Sequence, residues 1–194
     1  MARLPGAARR RLRRERGLAG VLARPASSYD RRRRPSPQLL LALLDSPLNK
    51  AGMLRVLIQT AGGVLIEVSP STRIPRTYAR FAGLMVQLLH AMRVRAADSA
   101  TTLLRVVKND VAALLPVGAH VIGLEAGAAL VDAYDLPGRL PPGVPIVAVV
   151  GAMSHGDIAA DWVAETFSLS RYPLSAACAV SKLLNGFEHA WGVL

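Results

Sequence analysis

Residues 145–194 read PIVAVVGAMSHGDIAADWVAETFSLSRYPLSAACAVSKLLNGFEHAWGVL, and this stretch decides the fold. Ile146 to Val150 is apolar without alternation, the pattern of a strand buried on both faces. It enters a loop bounded by Gly151 and Gly156. A short helical link is expected next, and a second loop, 169–174, then feeds a long closing helix. Ser175, two residues after Pro173, is placed to cap that helix, whose Val180, Leu183, Leu184, Phe187 and Trp191 form one apolar stripe. Loops at the C-terminal ends of apolar strands are where an open α/β sheet binds its ligand.

Upstream, the pattern predicts a strand over 121–124 and loop plus edge structure over the Gly- and Pro-rich stretch 126–143. A short helix is predicted to end at Pro116, and Asp98 or Ser99 to cap a helix running to about Lys108. Phe81, Leu84, Met85, Leu88 and Leu89 lie at helical spacing within a predicted helix from Tyr78 to Met92. Two β-rich runs, 54–60 and 64–68, flank Gly62-Gly63 and read as a hairpin. An all-apolar helix over 38–45 ends in the turn residues 45–49. Together these elements predict an α/β fold, a mostly parallel sheet with an added β-hairpin.

The chain has 194 residues, enough for one large domain or a domain with a tail, and 52% of them are hydrophobic. No apolar run approaches the roughly 18 residues of a membrane span, so this surface belongs to a core or a subunit interface. The net charge of +11 is unevenly placed. Residues 1–34 hold twelve Arg against Glu15 and Asp30, whereas the remainder is close to neutral. Residues 1–36 are therefore read as an Arg-rich arm with little fixed structure, suited to nucleic acid or to a nuclear address, with an organellar leader as the lesser alternative. The domain proper is expected over 37–194. The single Cys178 rules out an internal disulfide or a cysteine metal site and is expected to be a small buried side chain.

Few residues carry chemistry. Walker A, GxGxxG, HExxH and GxSxG sequences are absent, and His90, His120, His155 and His189 lack ligand spacing, so no metal is expected. His155, in the Gly151–Gly156 loop, is the one histidine that suggests a ligand contact. Arg73, Arg76 and Arg80, three and four residues apart across a loop-to-helix junction, can point the same way and match a phosphate backbone. Tyr78 beside them offers a stacking surface.

The phrases SPLNKAG (46–52), VLIEVSPSTRIPRTYARFAGLMVQLLH (64–90), VRAAD (94–98), VVGAMSHG (149–156) and LSRYPLSAACAVSKLLNGFEHAWGVL (169–194) closely resemble one family. It is the pseudouridine N1-methyltransferase family of the SPOUT superfamily, which acts in ribosome biogenesis, and the likeness covers about 34–194. The resemblance implies a homodimer with a C-terminal trefoil knot, S-adenosyl-L-methionine as cofactor, and methylation of a pseudouridine in small-subunit rRNA. It assigns cofactor contacts to Ala128, Gly151, Gly156, Leu169, Ser170, Arg171, Tyr172, Pro173 and Leu174, and RNA contacts to Arg34, Arg73, Arg76 and Arg80. Small-subunit assembly proteins are implied partners, with a nucleolar location, or a cytoplasmic one in an archaeon. No residue is singled out as a general base. The family's first strand and helix are read as missing, GLAGVLA (17–23) being a weak substitute, and the Asp expected after Arg34-Pro35 is absent. Asp110 stands where the family commonly has proline. Those departures motivate a second reading, a catalytically inactive pre-rRNA-binding assembly factor; a third is a paralogue that methylates a different base.

Overall fold

The computed structural model describes residues 18–24, 37–60, 62–108, 110–151 and 162–193. Its centre is β7 (Ile146–Gly151), whose five apolar residues are all buried. Ile146, Ala148 and Val150 pack to one face and Val147 and Val149 to the other, as the unbroken apolar run predicts.

Beside it lies β1 (Leu18–Arg24), paired in parallel with β7 on one side and β2 (Leu54–Gln59) on the other. The reading of 1–36 as without fixed structure therefore fails for 18–24, the stretch that GLAGVLA (17–23) covers. LAGVLAR has little intrinsic strand preference, but pairing along both edges supplies what propensity lacks. Residues 1–17 and 25–36 lie outside the described set.

The predicted hairpin forms: β2 pairs antiparallel with β3 (Leu65–Val68), Gln59 opposite Leu65. Then come β4 (Arg93–Arg95), β5 (Thr102–Val107), β6 (His120–Leu130) and β8 (Glu165–Ser168), giving one sheet of order β4-β5-β3-β2-β1-β7-β6-β8. The β2, β1, β7, β6 and β8 strands run parallel and the β3, β4 and β5 pairings are antiparallel. Two sequence expectations fail here. The segment after Ser99 is strand β5, not a helix, because Thr102, Val106 and Val107 suit an extended chain and β3 offers a free edge. The link before residue 169 ends in strand β8, placed against β6.

Six helices complete the described chain: α1 (Pro37–Asp45), α2 (Pro47–Lys50), α3 (Tyr78–Ala91), α4 (Val111–Leu114), α5 (Leu136–Arg139) and α6 (Ala176–Trp191). The turn predicted at 45–49 is a helical turn instead, because Ser46 caps it by accepting the Asn49 N–H at 3.1 Å. One face of the sheet is covered by α1, α3 and α6, where Leu39, Leu40, Leu43, Phe81, Leu88, Leu183 and Phe187 are fully buried. The other face carries a smaller cluster around Leu57, Leu65, Val111, Val121, Val147 and Val149. The expected α3 stripe is only partly buried, since Phe81 and Leu88 are covered while Leu89 remains 47% exposed. Cys178 is exposed, not buried, because it lies off the α6 stripe.

Candidate functional site

The C-terminal ends of β1, β7, β6 and β8 share one edge of the sheet. There β6 bulges: its register with β8 shifts between Leu124 and Ala129, and Gly127 takes φ +94°. Beyond the bulge the chain crosses toward α6. The Val131 N–H donates to the Ser168 carbonyl at 2.9 Å, tying the loop after β6 to the end of β8. Ser175 caps α6 as expected, accepting the Cys178 N–H at 3.3 Å. At residue 186 the helix comes so close to that loop that a Cβ would lie 1.8 Å from the Ala133 carbonyl oxygen. Glycine is required there by proximity. Tyr134 closes the contact edge-on against His189, ring centroids 5.3 Å apart.

Between these elements lies a cleft of ≈ 420 Å³, within the range of small-molecule sites. The 130–134 loop forms one wall, Leu169, Ser170 and Arg171 another, and Lys182 and Asn185 of α6 the third. Local hydrogen bonds fix both loops. Asp132 Oδ1 accepts the Tyr134 N–H at 2.8 Å; Ser168 Oγ donates to the Ser170 carbonyl at 2.8 Å, and Ser170 Oγ accepts the Tyr172 N–H at 3.0 Å. The cleft thus joins apolar wall (Leu130, Val131, Leu169) to one acidic side chain, Asp132, and two basic ones, Arg171 and Lys182. Such a lining suits a small ligand with a flat part to lie on the apolar wall and a zwitterionic end. Among the described residues no cluster of His, Cys, Asp or Glu could hold a metal, and no helix is long and apolar enough to cross a membrane.

Of the sequence-derived contacts, Leu169, Ser170 and Arg171 line the cleft. Tyr172 and Pro173 follow, exposed, and Leu174 is half-buried. Ala128 and Gly151 are half-buried near the same ends of β6 and β7 without lining it. Gly156, His155 and Arg34 lie outside the described residues. Sequence reasoning missed the 131–134 wall and the Lys182–Asn185 face. A polar VDAYD stretch following an apolar strand was the available signal for the first.

Arg73, Arg76 and Arg80 occupy a second surface. Their loop is held from beneath: Thr72 and Ile74 are buried, Thr72 Oγ1 donates to the Leu103 carbonyl at 2.8 Å, and Asn49 Nδ2 donates to the Pro70 carbonyl at 3.0 Å. The three arginines are exposed and unpaired among the described residues, with Tyr78 exposed beside them. Because β3 runs antiparallel to β2, this loop leaves the sheet at the edge opposite the cleft. It also lies about four strands away, roughly 20 Å at the usual strand spacing. The near-neutral body is in fact polarised. Residues 54–108 hold eight Lys and Arg against two acids, and residues 109–194 hold three against eight.

A doubly faced α/β sheet with a small-molecule cleft at its parallel strand ends, and a separate exposed basic loop at the opposite edge, defines the class of an α/β small-molecule-binding domain. Comparison with known proteins narrows that class. The model of the EMG1/NEP1 methyltransferase family matches residues 32–188. Human ribosomal RNA small subunit methyltransferase NEP1 is 50% identical over 157 residues, which are 81% of this chain and 64% of that protein. The Pyrobaculum calidifontis protein of the same description is 34% identical over 172 residues, 85% of this chain and 76% of its own. The crystal structure of Archaeoglobus fulgidus Nep1 bound to S-adenosylhomocysteine is similar at a TM-score of 0.66 and 28% identity, covering 80% of this chain and 69% of that one. This chain belongs to the EMG1/NEP1 methyltransferase family, as its motifs implied, and spans just under two thirds of the human relative's length.

Proposed function

We propose that this protein transfers a methyl group from S-adenosyl-L-methionine to N1 of a pseudouridine in small-subunit ribosomal RNA, as a step in ribosome biogenesis. The observation that carries the reading is the cleft, in which Leu169, Ser170 and Arg171 meet the loop after β6 at the parallel strand ends. Arg171 and Lys182 suit the carboxylate of the cofactor's amino-acid end and Asp132 its ammonium, while Leu130, Val131 and Leu169 suit the adenosine. Bound S-adenosylmethionine supplies an activated methyl group, so the chain needs neither a metal nor a covalent intermediate. The sulfonium–methyl bond breaks as the N1–methyl bond forms, leaving S-adenosylhomocysteine, and the N1 proton is released to water; the chain's own task is to hold the acceptor nitrogen in line. The arginine loop grips the phosphates of the hairpin presenting the target base, splayed from its loop.

The reading includes a homodimer, supported by the exposed Val86, Leu89 and Met92 on and just after α3. It also includes a trefoil knot formed by the C-terminal chain, small-subunit assembly proteins as partners, and a nucleolar location. The domain would span 37–194 together with β1. β1 at the centre of the sheet favours the enzyme reading over the assembly-factor alternative, whose other motives were the missing helix and the altered residues 36 and 110. Calorimetry of the full chain with S-adenosylmethionine tests the proposal. One site per protomer is expected, and a folded sample that binds none would overturn it.

A further inference from the structure

Beyond the cluster of Leu57, Leu65, Val107 and the 111–115 segment, which covers β3 and one end of β5, the same face of the sheet leaves Arg93, Arg95 and Arg105 exposed on β4 and β5. Glu67, Arg105 and Arg93 stand directly opposite one another across those three strands. Arg55 and Arg105 both donate from Nε to Glu67, at 2.9 and 2.5 Å, so one carboxylate serves two guanidiniums. Val94 packs against the core, and Arg93 and Arg95 on either side of it point to this face, both exposed. Neither has an ion pair among the described residues. Like charges directly opposite destabilise a sheet. A charge on an edge strand protects it from pairing with another chain. Glu67 accounts for Arg105 on the interior strand β5, but neither edge protection nor an ion pair accounts for two arginines, Arg93 and Arg95, unpaired among the described residues on the same face of β4.

This row meets the arginine loop. The Leu103 carbonyl, at the irregular start of β5, accepts both the Ser69 N–H and Thr72 Oγ1 at 2.8 Å. Arg95 pairs with Thr102 at that same strand end. Between residues 68 and 109 the chain holds seven Lys and Arg and a single acid, Asp98. Exposed arginines thus lie on the loop and the start of α3 (Arg73, Arg76, Arg80) and on the adjoining strands (Arg93, Arg95, Arg105), linked through the Leu103 carbonyl. No aromatic residue occurs in β3, β4 or β5, so the face suits phosphates and not stacked bases.

We infer that this face is a second RNA-binding surface. Arg93, Arg95 and Arg105 hold, without regard to sequence, the phosphates of RNA flanking the hairpin gripped by the arginine loop. Two residues along a strand span roughly 6.7 Å, so Arg93 and Arg95 address separate phosphates. Glu67 keeps Arg105 extended for its contact. The inference rests on the rRNA reading above.

Binding of the full chain and of R93Q/R95Q is measured by fluorescence anisotropy over roughly 50–200 mM salt. Two RNAs are used: a minimal pseudouridine hairpin and the same hairpin with extended flanking duplex. Loss of two phosphate contacts lowers the slope of log K against log salt by about 1.4–1.8 on the extended RNA. The slope on the minimal hairpin stays unchanged, and R93K/R95K restores the wild-type slope. Thermal stability of R93Q/R95Q stays equal or rises, because an opposed like-charge pair is removed. Equal slopes on the extended RNA overturn the inference and leave the face to an acidic protein partner. Wild-type protein that binds neither RNA overturns the rRNA reading instead, so the two failures are distinct.

Discussion

Replacing Gly186 by Ala joins helix energetics to the cleft in one experiment. In a helix interior, Gly→Ala normally stabilises by about 0.8–1 kcal/mol. Here the added Cβ would meet the Ala133 carbonyl oxygen at 1.8 Å and its carbon at 2.7 Å. Carbon–oxygen contacts settle at roughly 3.3–3.6 Å, so the 131–134 loop must withdraw by about 1.5 Å. The obstacle is backbone, pinned by the Val131–Ser168 hydrogen bond, and overpacking of that kind costs about 3 kcal/mol. Net of the helix gain, G186A should destabilise by about 2 kcal/mol, a fall in Tm of roughly 4–8 °C for a chain this size. Since the same loop forms one wall of the cleft, S-adenosylmethionine affinity should weaken about tenfold or more, equivalent to one lost hydrogen bond. Thermal melting and calorimetry on the same sample read both effects. A variant with raised Tm and unchanged affinity would refute the packing of this loop on α6 and its place in the cleft.

Three further outcomes follow from the geometry. Converting Arg73, Arg76 and Arg80 to Ala should abolish hairpin binding at physiological salt while shifting stability by less than about 0.5 kcal/mol, since all three are exposed; filter binding and melting check this. Burial opposes the charge of Glu67, but the guanidiniums of Arg105 and Arg55 outweigh it and hold its carboxyl below the usual glutamate value. Its contribution is therefore full above the ordinary glutamate pKa and lost as pH falls through the lowered one, so E67Q should melt earlier at neutral pH and converge on wild type in acid. Glu188 behaves oppositely: burial pushes its carboxyl up, only partly offset by the Leu48 N–H donating at 3.3 Å. Stability should fall as pH rises from the ordinary glutamate value through the raised one, and E188Q, which keeps an acceptor for Leu48, should flatten that slope in melts between pH 4 and pH 9.

Much of this fold is legible in the sequence. The unbroken apolar run of β7, the Gly62-Gly63 hairpin and the Ser175 cap are local signals, and each became the element expected of it. The strands β1, β5 and β8 were missed because partners make them. LAGVLAR becomes a strand by pairing on both sides, and TLLRVV, which can be given a helical cap on paper, is claimed by the free edge of β3. Half of the cleft was visible for a similar reason. The run Leu169–Arg171 stands out as a loop before a capped helix, whereas Lys182, Asn185 and the 131–134 wall meet only through the Gly186 contact, which no periodicity encodes.

The most direct test of the central claim is methyl transfer itself. The full chain is incubated with S-adenosylmethionine and a small-subunit rRNA hairpin carrying pseudouridine, and the digested nucleosides are separated by mass spectrometry. The account predicts N1-methylpseudouridine, and no product from the same hairpin carrying uridine. A sample that is folded and binds both cofactor and hairpin yet yields no N1-methylpseudouridine would contradict it.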